Sequence, residues 1–186
     1  YFTFHENGAA FSELKTLYFE YDSITEENLK RLIKKFPEAT ELFHFMLAHY
    51  DKLHELIYKP AFTLTYNDFY WSNFVIRKDK QAAMMFDYNL LGRGYRYSDF
   101  RNVCSSLSTA TGKIFVDEYK RRYTERYGHT RLEDEQVEQC IDDVVAPLFS
   151  LIVAYIERDT FPEWANYARS EALNGSLLAK AKRLLL

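Results

Sequence analysis

The sequence predicts a mainly α-helical domain that holds one small β element in its first half. Apolar residues recur at helical spacing through most of the chain. In "PEATELFHFMLAHYDKLHELI", for example, Leu42, Phe45, Met46, His49, Leu53 and Leu56 keep that period. Residues 61–90 break the pattern with three short apolar runs, "FTLTY", "NFVIR" and "AAMMFDY". The last two flank Lys78-Asp79-Lys80-Gln81, which reads as the turn of a hairpin.

Taken in order, residues 1–22 mix aromatic and polar types and read as an extended segment with a turn at Asn7-Gly8. "SITEENLKRLIKKF" predicts a helix over 23–36. Ser23 or Thr25 caps it, acidic residues sit in its first turn, and Lys34 and Lys35 sit in its last. Pro37 restarts the chain, and a second helix over 38–58 ends before Pro60. After the hairpin, Gly92 and Gly94 read as turn residues with positive φ. Helices are expected over 99–108, 111–127, 132–145, 146–158, 162–174 and 175–185, with Pro147 marking a helix start or a kink.

Composition narrows the function. A length of 186 residues suits a single domain over 1–186, and 47% hydrophobic residues supply a core. The net charge of -3, with no long basic run, argues against nucleic acid as the main partner. No apolar run reaches the ~18 residues that read as a membrane span, and no signal-peptide pattern opens the chain. Cys104 and Cys140 lack C-x-x-C spacing and read as buried reduced thiols, so a cytoplasmic location is expected. A start at Tyr1 rather than Met points to a fragment, a processed chain or a trimmed one.

The stretch with chemical content is "TLTYNDFYWSNFVI", residues 63–76. If "NFVIR" and "AMMF" form the hairpin, Asn73 at the start of one strand and Asp87 at the end of the other converge, with Asp68 nearby. A carboxylate and a carboxamide oxygen are hard ligands that suit Mg²⁺. A further carboxylate beside them can orient a hydroxyl and accept its proton. Asp-x4-Asn alone is a weak pattern, and taken by itself it reads first as a loop with an Asx turn at Asn67-Asp68. Asp99 by itself reads as a plain N-cap. His44, His49 and His54 lie five apart, which turns them around a helix and argues against a metal site. The acidic stretch "RLEDEQVEQCIDD" reads first as a solvated helix face.

D-x-x-x-x-N followed by Asp after a short hairpin resembles the catalytic segment of kinase-like phosphotransferases. "LTYNDFYWSNFVI…MMFDYNLLGRGYRYSDFRNV" is similar, more narrowly, to the aminoglycoside phosphotransferase and choline kinase superfamily, over residues 62–104. The resemblance implies the helical C-terminal lobe of a kinase-like phosphotransferase, with a short β-hairpin carrying the catalytic loop. It implies Asp68 as catalytic base, Asn73 and Asp87 as Mg²⁺ ligands, and Asp99 as a brace for the loop. Tyr66 stands where the family usually has His and supports the site structurally. ATP or GTP would be the phosphoryl donor, and a hydroxyl of an aminoglycoside- or choline-like small molecule the acceptor. Tyr70, Trp71, Glu138 and Asp142 are the expected substrate contacts, the last two as an acidic wall for a cation.

Sixty-seven residues precede Asp68, and they contain no G-x-G-x-x-G. The nucleotide-binding N-terminal lobe is therefore expected outside this chain, as its partner in a longer parent. The 186 residues alone are expected to be inactive, and apolar surface left bare invites a homodimer. Two other readings compete. One is a non-catalytic, pseudokinase-like binding or scaffold protein. The other is a helical interaction domain with an accidental motif, in which Asn73 and Asp87 would not converge.

Overall fold

The computed structural model describes residues 1–160 and 162–186. It is 68% helix, with small two-stranded antiparallel sheets, as the apolar periodicity predicts. The chain divides into two compact units, neither continuous in sequence. The first comprises Tyr1–Phe19 and Ala61–Glu138, the second Glu20–Pro60 and Gln139–Leu186.

The first unit opens with helix α1 (Phe2–Ala9), where an extended segment is expected from the sequence. Asn7-Gly8 is therefore helical rather than a turn. Gly8 is required by packing: a Cβ there would stand 2.2 Å from Leu64 Cβ and 2.9 Å from Leu64 N. That close approach seats α1 on strand β1 (Thr63–Thr65). Strand β1 pairs antiparallel with β4 (Gly92–Gly94), with Leu64 opposite Arg93. Gly92 and Gly94 are thus strand residues, and neither has a positive φ. Gly92 is small because Tyr18 O would lie 2.3 Å from a Cβ.

The hairpin forms where its turn tetrad predicts. Strands β2 (Phe74–Ile76) and β3 (Ala83–Met85) pair with Phe74 opposite Met85. Helix α5 (Arg96–Ser106) begins three residues ahead of Asp99, so Asp99 lies inside the helix and is not its N-cap. Helix α6 (Thr109–Tyr127) is capped by Ser108, whose hydroxyl accepts from Thr111 N–H, and closes on Gly128 at φ 73°. The core near the loop is aromatic. Tyr66, Phe69 and Val103 are buried, with Tyr1, Phe4, Phe74 and Phe115 packed on them. Phe69 stacks on Tyr1 at 4.0 Å between ring centroids.

In the second unit, α2 (Glu26–Lys35) takes Thr25 as its N-cap, with the Thr25 side chain accepting from Asn28 N–H. The single helix expected over 38–58 is two, α3 (Thr40–Ala48) and α4 (Tyr50–Tyr58). The break falls at His49, at φ -118° and ψ 22°, whose ring also bonds the Phe45 carbonyl at 2.9 Å. Helices α8 (Asn166–Leu173) and α9 (Ser176–Leu185) are separated by Gly175 at φ 81°. The core of this unit includes Leu29, Leu32, Phe43, Met46, Leu53 and Leu177, all fully buried.

Helix α7 (Leu132–Ile152) contains Pro147, which neither starts nor ends it, and continues into a π-helical turn at Val153–Glu157. Leu132–Glu157 is long and apolar enough to cross a membrane, with a mean hydropathy of 1.6 in its most apolar window. Since 67% of that window is buried inside the protein, it reads as a core helix. Both cysteines are free, Cys104 half-buried and Cys140 exposed, so neither is the fully buried thiol expected.

On an isolated helix Gly8→Ala would be stabilising by about 1 kcal/mol. Against Leu64 it is expected to destabilise by roughly 1–3 kcal/mol through overpacking. A urea titration checks the sign, and a gain in stability would mean that α1 does not dock on β1.

Candidate functional site

The loop after β1 is built around the buried carboxylate of Asp99 on α5. Its Oδ2 accepts from Tyr66 N–H at 3.0 Å and its Oδ1 from Asn67 N–H at 2.9 Å. Oδ2 also accepts from His5 Nε2 at 3.1 Å and from the Tyr1 hydroxyl. Asn67 sits at φ 61°, and the Asp68 N–H reaches back to the Tyr66 carbonyl at 2.8 Å. That is a γ-turn of the rare, strained hand. Asn tolerates this backbone better than most residues, and both its side-chain amide and its main-chain carbonyl are held. Asn67 Nδ2 donates to Leu90 O at 2.9 Å, and Asn102 Nδ2 donates to Asn67 O at 2.6 Å.

The turn delivers Asp68, and a 3₁₀ turn at Trp71–Asn73 brings Asn73 back to it. Asn73 Nδ2 donates to Asp68 Oδ2 and to Asp68 O, each at 2.8 Å. The strand register then sets Asp87. Phe86 N–H donates to Asn73 O at 3.2 Å, so Asp87 is the next residue beyond the Asn73 pairing. Asp87 is itself at φ 66°, an uncommon backbone for a residue other than glycine. The Tyr66 hydroxyl donates to the Phe86 carbonyl and so ties β1's end to the approach to Asp87. Burial raises the Tyr66 hydroxyl above the usual tyrosine range, and the nearby Asp68 and Asp87 carboxylates push the same way.

The loop therefore gathers Asp68, Asn73, Asp87, Tyr66 and Asp99 in one region. Two of the five, Tyr66 and Asp99, are buried and hold backbone. The other three keep oxygen atoms for a ligand. Among the described residues, Asp68 Oδ1, Asn73 Oδ1 and both oxygens of Asp87 have no hydrogen-bond or ion-pair partner. Two carboxylates and one amide oxygen without a cationic partner fit a hard divalent ion such as Mg²⁺. Among the described residues no group of three His, Cys, Asp or Glu side chains is placed to hold a metal, so an ion here would use the Asn73 amide with few carboxylates.

The expected substrate contacts divide. Trp71 is 64% exposed beside the loop, with its backbone N–H fixed to Ser106 Oγ at 3.0 Å. Tyr70 is half-buried and turns its hydroxyl toward Asn102 Oδ1 at 3.5 Å. Glu138 and Asp142 do not form the expected acidic wall. Glu138 is buried, pairs with Arg131 and accepts from Tyr97 N–H at 3.0 Å. Asp142 is buried and accepts from the Tyr21 hydroxyl. Their positions on the helix face the protein interior, and their charges are used there. Two surface depressions, of about 520 and 410 Å³, lie on α8 and α6 and are not lined by Asp68, Asn73 or Asp87.

Two residues of the loop's support, His5 and Asn102, escape a reading of the sequence, and Asn67 is read there only as part of an Asx turn. His5 had a signal. Tyr1, Phe4, His5 and Gly8 share one helical face, a pattern obscured by taking Asn7-Gly8 as a turn. Asn102 lies three residues after Asp99 on α5, on the same face. Comparisons with protein-family models, with curated proteins and with solved structures find no match to this chain.

Burial holds the His5 imidazole below the usual histidine range, a shift that its bond to Asp99 opposes without cancelling. The unfolded chain then binds a proton at a pH where the folded chain does not. Stability is expected to fall as pH drops below about 6.5, with a slope of up to about 1.4 kcal/mol per unit from this group. Urea unfolding between pH 7.5 and 5 in the wild type and in His5→Gln, as on the order of one proton's linkage, checks it: the variant's profile should be flatter over that window.

Proposed function

We propose that this chain carries the catalytic loop of a small-molecule kinase, which moves the γ-phosphoryl group of ATP or GTP to a hydroxyl. The observation that carries the reading is the Asp68–Asn73–Asp87 arrangement. Asp68 is aimed by a strained turn, locked to Asn73 through one oxygen, and open at the other. The resemblance of residues 62–104 to the aminoglycoside phosphotransferase and choline kinase superfamily points the same way.

In this reading Asp68 accepts a hydrogen bond from the acceptor hydroxyl and takes its proton as the new P–O bond forms. The Asn73 amide keeps the carboxylate from rotating away. Asn73 Oδ1 and the Asp87 carboxylate would hold Mg²⁺, which offsets the charge of the donor's phosphates when bound. The transition state is loose, so placing these groups accounts for most of the catalysis. Tyr66 replaces the family's usual His but still supplies a hydroxyl that fixes the backbone before Asp87.

Among the described residues no strand precedes Thr63, so a β lobe to hold the nucleotide base and β-phosphate would come from beyond these 186 residues. The apolar hairpin supports that view. Val75, Ile76 and Met84 are 51%, 65% and 62% exposed and would gain from being covered.

Two outcomes are expected. The complete parent protein should turn over Mg²⁺·nucleotide with one member of a panel of amino sugars, choline-like amines and simple sugars. Asp68→Asn should fold normally and lower kcat by roughly 10²–10⁴-fold. Near-normal turnover in that variant would remove Asp68 as the base. No turnover with any acceptor, with equal nucleotide binding by both proteins, would favour a non-catalytic binding protein instead. Residues 1–186 alone should bind Mg²⁺·ATP only weakly by calorimetry, and low-micromolar binding would contradict the need for another lobe.

A further inference from the structure

His5 lies far from Asp68 in sequence and is fully buried, yet it is wired to the same loop. Its Nε2 is 3.1 Å from Asp99 Oδ2, and its Nδ1 is 2.8 Å from the Tyr119 hydroxyl. Asp99 accepts from Tyr1, Tyr66 N–H and Asn67 N–H as well, so it is an acceptor toward every one of these partners. That fixes the tautomer. Nε2 carries the hydrogen and donates to Asp99, while Nδ1 accepts from the Tyr119 hydroxyl. The ring has little room to choose otherwise. Tyr1 and Tyr119 pack edge-on at 4.6 and 5.5 Å, and the Thr63 hydroxyl anchors the His5 carbonyl.

The two oxygens of Asp99 serve different masters. Oδ1 holds Asn67 N–H, while Oδ2 is shared among Tyr66 N–H, His5 and Tyr1. A carboxylate rotates about one bond, so a donor that pins Oδ2 also sets where Oδ1 stands. We infer that His5 is a positioning residue: its Nε2–H fixes the Asp99 carboxylate so that both loop amides are met, and this sets the γ-turn that aims Asp68. The inference rests on the catalytic reading of Asp68 for its effect on rate, but not for its effect on the loop.

Two variants separate position from bulk. His5→Gln keeps an N–H donor near the place of Nε2. His5→Asn keeps an amide near the place of Nδ1 and has no donor that reaches Asp99. Both are polar and smaller than the ring, so a role in packing alone would affect them alike. The readouts, in the complete protein, are NMR exchange of the Tyr66 and Asn67 amides and the kinetics of phosphoryl transfer. His5→Gln is expected to stay within about threefold of wild type in both. His5→Asn should speed exchange of those two amides by at least about tenfold relative to Thr63–Thr65, and lower kcat by roughly 10–100-fold with the nucleotide KM unchanged.

Equal behaviour of the two variants, or wild-type protection of both amides in His5→Asn, overturns the inference. If His5→Asn does not fold, Tyr119→Phe serves. Loss of the donor to Nδ1 should loosen the same two amides to a smaller degree, and unchanged amides would again overturn it. The expected exchange pattern in a protein without phosphoryl transfer supports the positioning and sinks only the reaction assigned to Asp68.

Discussion

The carboxylate of Asp99 is the constraint on which the first unit turns. It is buried, and a carboxylate without partners there would be costly. Four donors from two parts of the chain offset that cost: Tyr1 and His5 at the start, and Tyr66 and Asn67 after β1, all meeting Asp99 on α5. Remove the carboxylate and the two loop amides lose their acceptor, the ring of His5 loses its orientation, and the γ-turn at Asn67 loses the contact that offsets its strain. The loop is thus shaped from behind, by buried groups, while Asp68, Asn73 and Asp87 on its outer side keep oxygen atoms unengaged among the described residues.

That division explains the polarity of the site. Buried groups hold backbone, while Asp68, Asn73 and Asp87 spend their bonds sparingly. Asn73 gives both amide hydrogens to Asp68 and keeps its oxygen. Tyr66 does two jobs, since its backbone is held by Asp99 and its hydroxyl holds the Phe86 carbonyl. It links the end of β1 to the end of β3.

What was legible in the sequence was local. The hairpin announced itself through two apolar runs and a charged tetrad, and its register brings Asn73 close to Asp87. The Thr25 cap and the helical period of α2 were equally plain. Pairings made over long distances were not. The partner of β1 is a glycine strand, read from the sequence as a turn, because close packing against Tyr18 calls for glycine as surely as a positive φ does. Charge misled in the same way at Glu138, where an acidic run suggested a surface but Arg131 and the Tyr97 amide wait inside. A sequence displays the charge of such a residue and conceals its partner.

The bond between His5 and Tyr119 spans 114 residues. A ribosome adding about 5–20 residues per second makes that stretch in on the order of ten seconds. Through that interval the first helix has been made and its inner face has nothing permanent to rest on: Tyr1, Phe4 and His5 are exposed until β1, α5 and α6 arrive in turn. The segment that completes the loop is thus made well before the partners that secure it, and its aromatic inner face stays uncovered on the nascent chain until they emerge.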